Sequence, residues 1–192
     1  MLRSDITGIL LAGGKSSRMG QEKGLVEFRG KPLIQYGLEL LSSFTDQIII
    51  GSANPDYLQF GRKLVPDRVT GKGPAAGLAA LLKSTATPWS IVLACDLPFL
   101  EKELIEELLL SAHNAQALVP IHGGIIEPLA ALYRRDLAPT FEEAVAKGNL
   151  ALHKILLSCS TNYLDVDPLI EKYPNLFVNL NSMDQMNNFI AG

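Results

Sequence analysis

The sequence predicts a three-layer, doubly wound α/β fold built around a mostly parallel sheet. Three observations predict it. Short, nearly all-apolar runs such as Ile6–Leu11 and Ser90–Cys95 read as strands buried on both faces. Stretches of helical periodicity separate the strands through the first two-thirds of the chain, as in a wound parallel sheet. Glycine or polar residues stand directly after four of the strands, at the edge where such sheets bind ligands.

Composition sets the bounds. The 192 residues fit one continuous domain over 1–192. With 47% hydrophobic and 19% charged residues, the chain supports a large core and not a disordered one. No apolar run reaches the roughly 18 residues of a membrane span. Met1–Asp5 leads straight into the first strand without a secretory leader, so a cytoplasmic protein is expected. Cys95 and Cys159 lack CxxC spacing and a neighbouring histidine pair, which points to reduced thiols. A net charge of -3 disfavours wholesale nucleic-acid binding.

The elements follow in order. After strand Ile6–Leu11 and a glycine-rich loop, Val26–Pro32 forms a short extended piece and turn. Pro32 suits the first turn of a helix, in which Leu33, Ile34, Gly37, Leu38, Leu41 and Phe44 recur at helical spacing. Gln47–Ile50 is a strand, Asp56–Gly61 a short helix and Lys63–Val65 a strand ending at Pro66-Asp67. Gly71-Lys72-Gly73-Pro74 opens a small-residue helix, Ala75–Leu82. Strand Ser90–Cys95 precedes Asp96, and Glu101–Ala112 is an amphipathic helix with acidic residues in its first turn, where the dipole favours them. Gln116–Ile121 is a strand and Ile125–Tyr133 resumes extended, with Pro128 marking an edge or bulge. Arg135–Lys147 and Leu150–Leu157 read as helices. Thr161–Val166 and Leu176–Val178 read as strands, and Ser182 with Gln185 as a capping box for a terminal helix.

The chemistry-bearing stretch is Leu11 to Lys23. Gly13, Gly14 and Gly20 let the backbone approach a ligand closely, and Lys15, Arg18 and Lys23 add fixed positive charge. A strand followed by such a loop suits a polyphosphate. It is not a P-loop, because the glycine required five positions before Gly14 is Ile9. It is not a dinucleotide fingerprint either, because Lys15 to Arg18 contain no glycine. Asp96 emerges from a buried strand, where an unpaired carboxylate is costly, and a Mg²⁺ ion shared with phosphate oxygens would pair it. Lys23 and Arg18 would neutralise a transferring phosphate, and Asp67 would accept hydrogen bonds from a purine N–H edge or cap a turn. His113, His122 and His153 form no catalytic constellation. None is needed, since a phosphate nucleophile with its second pKa of about 6 requires no general base.

Leu11-Ala12-Gly13-Gly14-x-Ser16-x-Arg18-Met19-Gly20, followed by Lys23, resembles the signature of nucleotidyltransferases with a nucleotide-diphospho-sugar transferase (Rossmann-like) fold. Gly30–Leu33, Pro66-Asp67, Gly73–Gly77, Cys95–Pro98, Glu127–Leu129 and Val178–Ser182 extend the likeness over nearly the whole chain. They make it most similar to molybdenum cofactor guanylyltransferases of the MobA type. That resemblance implies transfer of GMP from GTP to molybdopterin, with release of pyrophosphate and Mg²⁺ as cofactor. It implies nucleotide contacts from Leu11, Ala12, Gly13, Gly14, Lys23, Gly51, Asp67, Gly73 and Asp96, metal contact from Asp96, and a pterin side near Asn179 and Asn181. It implies molybdoenzyme chaperones or cofactor-insertion proteins as partners, and neither nucleic acid nor membrane. Three positions depart from the pattern: Glu22 replaces an aspartate, Ala75 a leucine, and Gly51 stands where a base-contacting asparagine is expected, with Ser52 and Asn54 as nearby substitutes. A CTP-using transferase, one acting on a sugar or polyol phosphate, and a non-catalytic nucleotide-binding regulator are the competing readings.

Overall fold

A strand that is apolar on both faces needs a layer of helices on each side, and the central strand meets that need. The computed structural model describes residues 1–12, 22–66 and 73–190. β1 (Ile6–Leu11) is buried along almost its whole length. A 3-10 turn at Lys23–Leu25 precedes a small hairpin, β2 (Glu27–Phe28) and β3 (Lys31–Pro32). Its two turn residues, Arg29 and Gly30, both have positive φ (50° and 81°), as a type I′ turn requires. α1 (Leu33–Ser42) follows, with Leu33, Ile34, Gly37, Leu38 and Leu41 as its buried stripe. β4 (Ile48–Gly51), a 3-10 segment Pro55–Phe60 and β5 (Lys63–Val65) come next.

α2 (Gly73–Ser84), β6 (Trp89–Ala94) and α3 (Lys102–Ser111) complete the first half. β7 (Ala117–His122), β8 (Ile125–Ile126) and β9 (Ala130–Arg134) form an antiparallel group, the last two separated around Pro128. α4 (Ala138–Ala146), α5 (Leu152–Leu156), β10 (Thr161–Asp165), α6 (Asp167–Lys172) and α7 (Met183–Ile190) close the chain. The sheet order is β10-β7-β9-β6-β1-β4-β5, with β8 beside β7. β1 runs parallel to β4 and β6, β4 to β5 and β10 to β7, while β9 is antiparallel to both its neighbours.

Alternation along the strands sorts the core into two layers. Leu10, Ile50, Ile91, Leu93 and Leu132 pack with α1 and α3 on one face. Ile9, Ile49, Val92, Ala131 and Tyr133 pack with α2, α4 and α5 on the other. The expected three-layer, mostly parallel fold is therefore the observed one. A third, smaller cluster of Val26, Phe28, Leu33, Leu180 and Met186 joins the β2–β3 hairpin to α7.

Two expectations need correction. Leu176–Val178 is a turn and not a strand: Leu176 N–H bonds the Tyr173 carbonyl at 2.9 Å, and Val178 N–H the Asn175 carbonyl at 2.9 Å. Its apolar residues anchor a turn, with Leu176 fully buried, and three residues are too few to distinguish the two by pattern. α6 was not expected, because a six-residue helix with a single buried side chain, Leu169, shows no periodicity.

Gly51 ends β4 where the sheet meets α2. A Cβ there would stand 2.6 Å from Leu81 Cδ1, and Leu81 is itself buried. Gly51→Ala should therefore lower stability by about 1–3 kcal/mol, the usual range for overpacking a core, measured by urea unfolding. An unchanged midpoint would show that α2 is not held this tightly to the sheet.

Candidate active site at the carboxyl edge of the sheet

Parallel strands end on the same side, so the residues after β1, β4, β5 and β6 share one edge. Their backbones are tied across it. Ala12 N–H donates to the Gly51 carbonyl (3.1 Å), Cys95 N–H to the Leu11 carbonyl (3.0 Å) and Ser52 N–H to the Val65 carbonyl (3.2 Å). Gly51 thus sits inside the sheet, while Ser52 and Asn54 use their side chains locally: Ser52 Oγ accepts from Asn54 N–H, and Asn54 Oδ1 from Asp56 N–H. Gly73 begins α2 with φ +66° and meets nothing on its Cβ side among the described residues, placing a helix N-terminus and its positive dipole end at this edge. Gly13, Gly14, Lys15, Arg18 and Asp67 lie outside the described residues.

Asp96 stands just beyond β6, and its carbonyl accepts the Leu180 N–H at 3.0 Å. That bond draws in a C-terminal segment in which residues alternate sides. Leu180 is fully buried in the small third cluster, which leaves Asn179 and Asn181 on the opposite side. Both amide oxygens reach the Lys23 ammonium, Asn179 Oδ1 at 2.9 Å and Asn181 Oδ1 at 2.5 Å. Asp96 Oδ2 is the third acceptor. An ammonium has three protons and no more, so the cage is complete. The Lys23 and Asp96 side chains are only 15% and 16% exposed. Loss of either partner would leave a largely buried charge uncompensated, a loss worth about 3–5 kcal/mol where burial is complete.

The cage is held from behind. Asn181 N–H donates to Gln185 Oε1 at 2.7 Å, and Gln185 N–H to Ser182 Oγ at 3.3 Å. The expected capping pair thus forms, with the glutamine reaching one residue further back than in the usual box. Arg29 on the hairpin donates to the Phe189 carbonyl at 2.6 Å, tying α7 to the arm that carries Lys23. Gly24, next to Lys23, is buried against Tyr57, whose hydroxyl would lie 2.7 Å from a Cβ at position 24. Only glycine lets the arm lie this close.

Asp96 Oδ1 is buried and has no hydrogen-bond partner among the described residues. Such an atom is costly unless a ligand satisfies it. No group of three or more histidine, cysteine, aspartate or glutamate side chains gathers among the described residues. One carboxylate oxygen near two amide oxygens is an all-oxygen, low-charge set. It fits a hard cation that keeps its waters and shares phosphate oxygens. Adjacent Cys95 is no nucleophile: burial chiefly, then the Asp96 charge, pushes its thiol up to about 12.

A cleft of about 530 Å³ opens beside the cage, within the size range of small-molecule sites. Its lining includes Ala94, Glu127, His153, Phe177 and Asn179. Sequence reasoning missed two features. One is the convergence of Lys23, Asp96, Asn179 and Asn181 on a single point. The other is His122, which ends β7 and is bonded to Glu127 at 3.1 Å. A smaller crevice of about 360 Å³ among Lys83, Pro88, Arg134 and Arg135 holds none of the expected site residues.

Residues 8–161 match the model of the MobA-like NTP transferase domain. The chain is 32% identical to a probable molybdenum cofactor guanylyltransferase of Flavobacterium johnsoniae, over 95% of each chain. It is 34% identical to the molybdenum cofactor guanylyltransferase of Aliivibrio salmonicida, over 94% of this chain and 93% of the relative. Among solved structures it is similar to the molybdopterin-guanine dinucleotide biosynthesis protein A of Archaeoglobus fulgidus, with a TM-score of 0.80 and 28% identity over 95% of each chain.

The close approach of Gly24 to Tyr57 is open to a double-mutant cycle. Gly24→Ala should cost about 1–3 kcal/mol in urea unfolding, and Tyr57→Phe in the same chain should return part of that loss by removing the clashing oxygen. Additive effects of the two substitutions would show that the contact is absent.

Proposed function

The chain belongs to the MobA-like NTP transferase family, and from that membership we propose that it transfers GMP from GTP to the terminal phosphate of molybdopterin, releasing pyrophosphate. The observation that carries the reading is the Lys23 cage: a cation, a carboxylate with a spare buried oxygen and two amides, all at the carboxyl edge beside a cleft. A phosphate oxygen of the acceptor attacks the α-phosphorus of GTP in line. The bond from that phosphorus to the bridging oxygen breaks, and pyrophosphate leaves with its electron pair. The nucleophile is already anionic near neutral pH, so the protein's task is to position the two phosphates and offset charge.

Lys23 is the group for the phosphates, with Arg18 as a second candidate. The Leu11–Gly14 backbone, Gly73 and Asp67 are candidates for holding the nucleotide, with Asp67 on the guanine edge. Ala12 N–H is committed to Gly51, so its carbonyl is the candidate contact for the nucleotide. A side chain at position 51 would press on Leu81, so in this reading the base is read from other groups of this edge. Asp96 Oδ1 would hold a divalent cation, Mg²⁺ in this reading. When bound, such an ion supplies charge neutralisation on the phosphate oxygens. No helix among the described residues is long and apolar enough to cross a membrane. The reading assigns the reaction to the cytoplasm and makes GTP and molybdopterin the partners.

Lys23→Ala and Asp96→Ala should each reduce pyrophosphate release from GTP plus molybdopterin by at least about a hundredfold, the scale on which loss of one preorganised charge acts. Circular dichroism should report an unchanged fold, and removal of Mg²⁺ by chelation should mimic Asp96→Ala. Full turnover in both variants would overturn the site, and faster turnover with CTP than with GTP would overturn the choice of nucleotide.

A further inference from the structure

One polar cluster beside the cleft has no part in phosphate transfer. β7 and β8 meet at a turn whose two glycines, Gly123 and Gly124, have φ of +51° and +81°. The register pairs His122 with Ile125 and Ile121 with Ile126, and Glu127 N–H extends the ladder to the Pro120 carbonyl at 2.9 Å. His122 and Glu127 are therefore diagonal neighbours on one face of the hairpin. The His122 ring nitrogen Nε2 meets Glu127 Oε1 at 3.1 Å, with the two side chains 20% and 23% exposed. The same imidazole lies parallel to the Phe177 ring, centroids 5.0 Å apart and planes within 7°. Phe177 and Glu127 both line the cleft. His122 thus stands behind two groups that face it, stacked on one and bonded to the other.

The surroundings say what such a carboxylate is for. Apolar Leu97, Ile126 and Leu150 line the cleft with it, so a hydrogen bond from a ligand to this carboxylate is stronger there than in water. Asn179, which lines the same cleft, bonds the Lys23 ammonium. A molecule in the cleft would therefore meet the proposed phosphate-transfer centre as well as Glu127 and Phe177. A carboxylate offers about four lone-pair positions. His122 uses one, which leaves room for two parallel N–H donors. A pterin presents that pair, on its ring nitrogen and exocyclic amino group, at the edge of a flat ring that an aromatic and apolar wall suits.

We propose that Glu127 is the residue that selects the acceptor, taking the N–H edge of its pterin ring, while His122 is a positioning residue that holds Glu127 and Phe177 in place. The proposal rests on the acceptor assigned above, so its test includes a measurement that needs no GMP transfer. Fluorescence titrations compare the free pterin ring with lumazine, the same ring carrying oxygen in place of the exocyclic amino group. The native protein should bind the pterin at least about tenfold more tightly, the margin of one charge-assisted hydrogen bond. Glu127→Gln keeps the shape but turns one acceptor into a donor, and should abolish that preference.

In turnover, Glu127→Gln should raise the KM for molybdopterin about 10- to 100-fold. The kcat at saturating acceptor and the affinity for GTP should hardly change, the pattern of a lost ground-state contact. His122→Ala should raise the same KM by a smaller factor, and His122→Gln, which retains an N–H donor, should recover most of it. Equal binding of pterin and lumazine by the native protein would overturn the proposal. So would an unchanged preference in Glu127→Gln, or a parallel loss of GTP affinity. A protein that discriminates the two rings but releases no pyrophosphate from GTP and molybdopterin would refute the transfer reaction and leave Glu127 assigned. Turnover without discrimination would do the reverse.

Discussion

Three protons on one ammonium decide how the carboxyl edge is assembled. Lys23 reaches Asp96, Asn179 and Asn181, residues 73, 156 and 158 positions away along the chain. Bringing together groups so distant costs closure entropy and side-chain freedom, and three hydrogen bonds alone would not offset it. The apolar framework does. Leu180, between the two asparagines, is locked in the third cluster with Val26, Phe28, Leu33 and Met186, so the burial that folds the hairpin onto α7 also sets the cage. The ammonium is saturated, with a consequence for ligand binding. A phosphate that takes a proton of Lys23 must displace one of the three protein oxygens. Release of Asp96 Oδ2 would free a carboxylate whose other oxygen is already without a partner among the described residues. In the proposed reaction, neutralising phosphate and presenting Asp96 to a cation would therefore be two sides of one exchange.

The cleft divides the labour. In the proposed reaction the nucleotide side is backbone and helix N-terminus, beside the ladder between Leu11, Gly51, Val65 and Cys95. The proposed acceptor side is made of side chains, Glu127 and Phe177, backed by His122. Backbone donors recognise phosphate by charge and shape and discriminate little between nucleotides. Side chains with fixed donor and acceptor patterns discriminate more strongly, because a mismatched partner leaves a buried polar group unpaired. In that reading, chemistry and selectivity reside in different parts of the same edge.

Much of this was legible in the sequence. The two-sided apolar strands β1 and β6 and their alternation with helices specified the layered sheet, since period and length are local properties. Asp96 was legible because a carboxylate leaving a buried strand needs a partner. The convergence on Lys23 was not. Nothing in the spacing of positions 23 and 179 shows that they touch, and only the alternation around Leu180 hints that Asn179 and Asn181 share a side. The pairing of His122 with Glu127 was not legible either, because their diagonal relation exists only in the hairpin register. Leu176–Val178 was misread for the opposite reason: an apolar triplet fits a strand locally, and only the turn bonds to Tyr173 and Asn175 exclude it. Gly51 looked like a lost base contact, whereas a side chain there would press on buried Leu81, so glycine suits the sheet–helix contact.

The division also falls along the chain. The segment that matches the family domain ends at residue 161, and it contains Lys23, Asp96 and Glu127. Phe177, Asn179 and Asn181 all come after it. A core that offers a cation and a carboxylate to a nucleotide is general equipment for nucleotidyl transfer. The C-terminal segment is what completes the coordination of Lys23 and adds the aromatic wall of the cleft. It is fastened independently at three places: the Leu180 N–H on the Asp96 carbonyl, Leu180 and Met186 in the third cluster, and the Phe189 carbonyl on Arg29. So firm an attachment of a late segment to an early loop makes physical sense if the acceptor must be held as rigidly as the nucleotide. An in-line attack tolerates little misplacement of either phosphate.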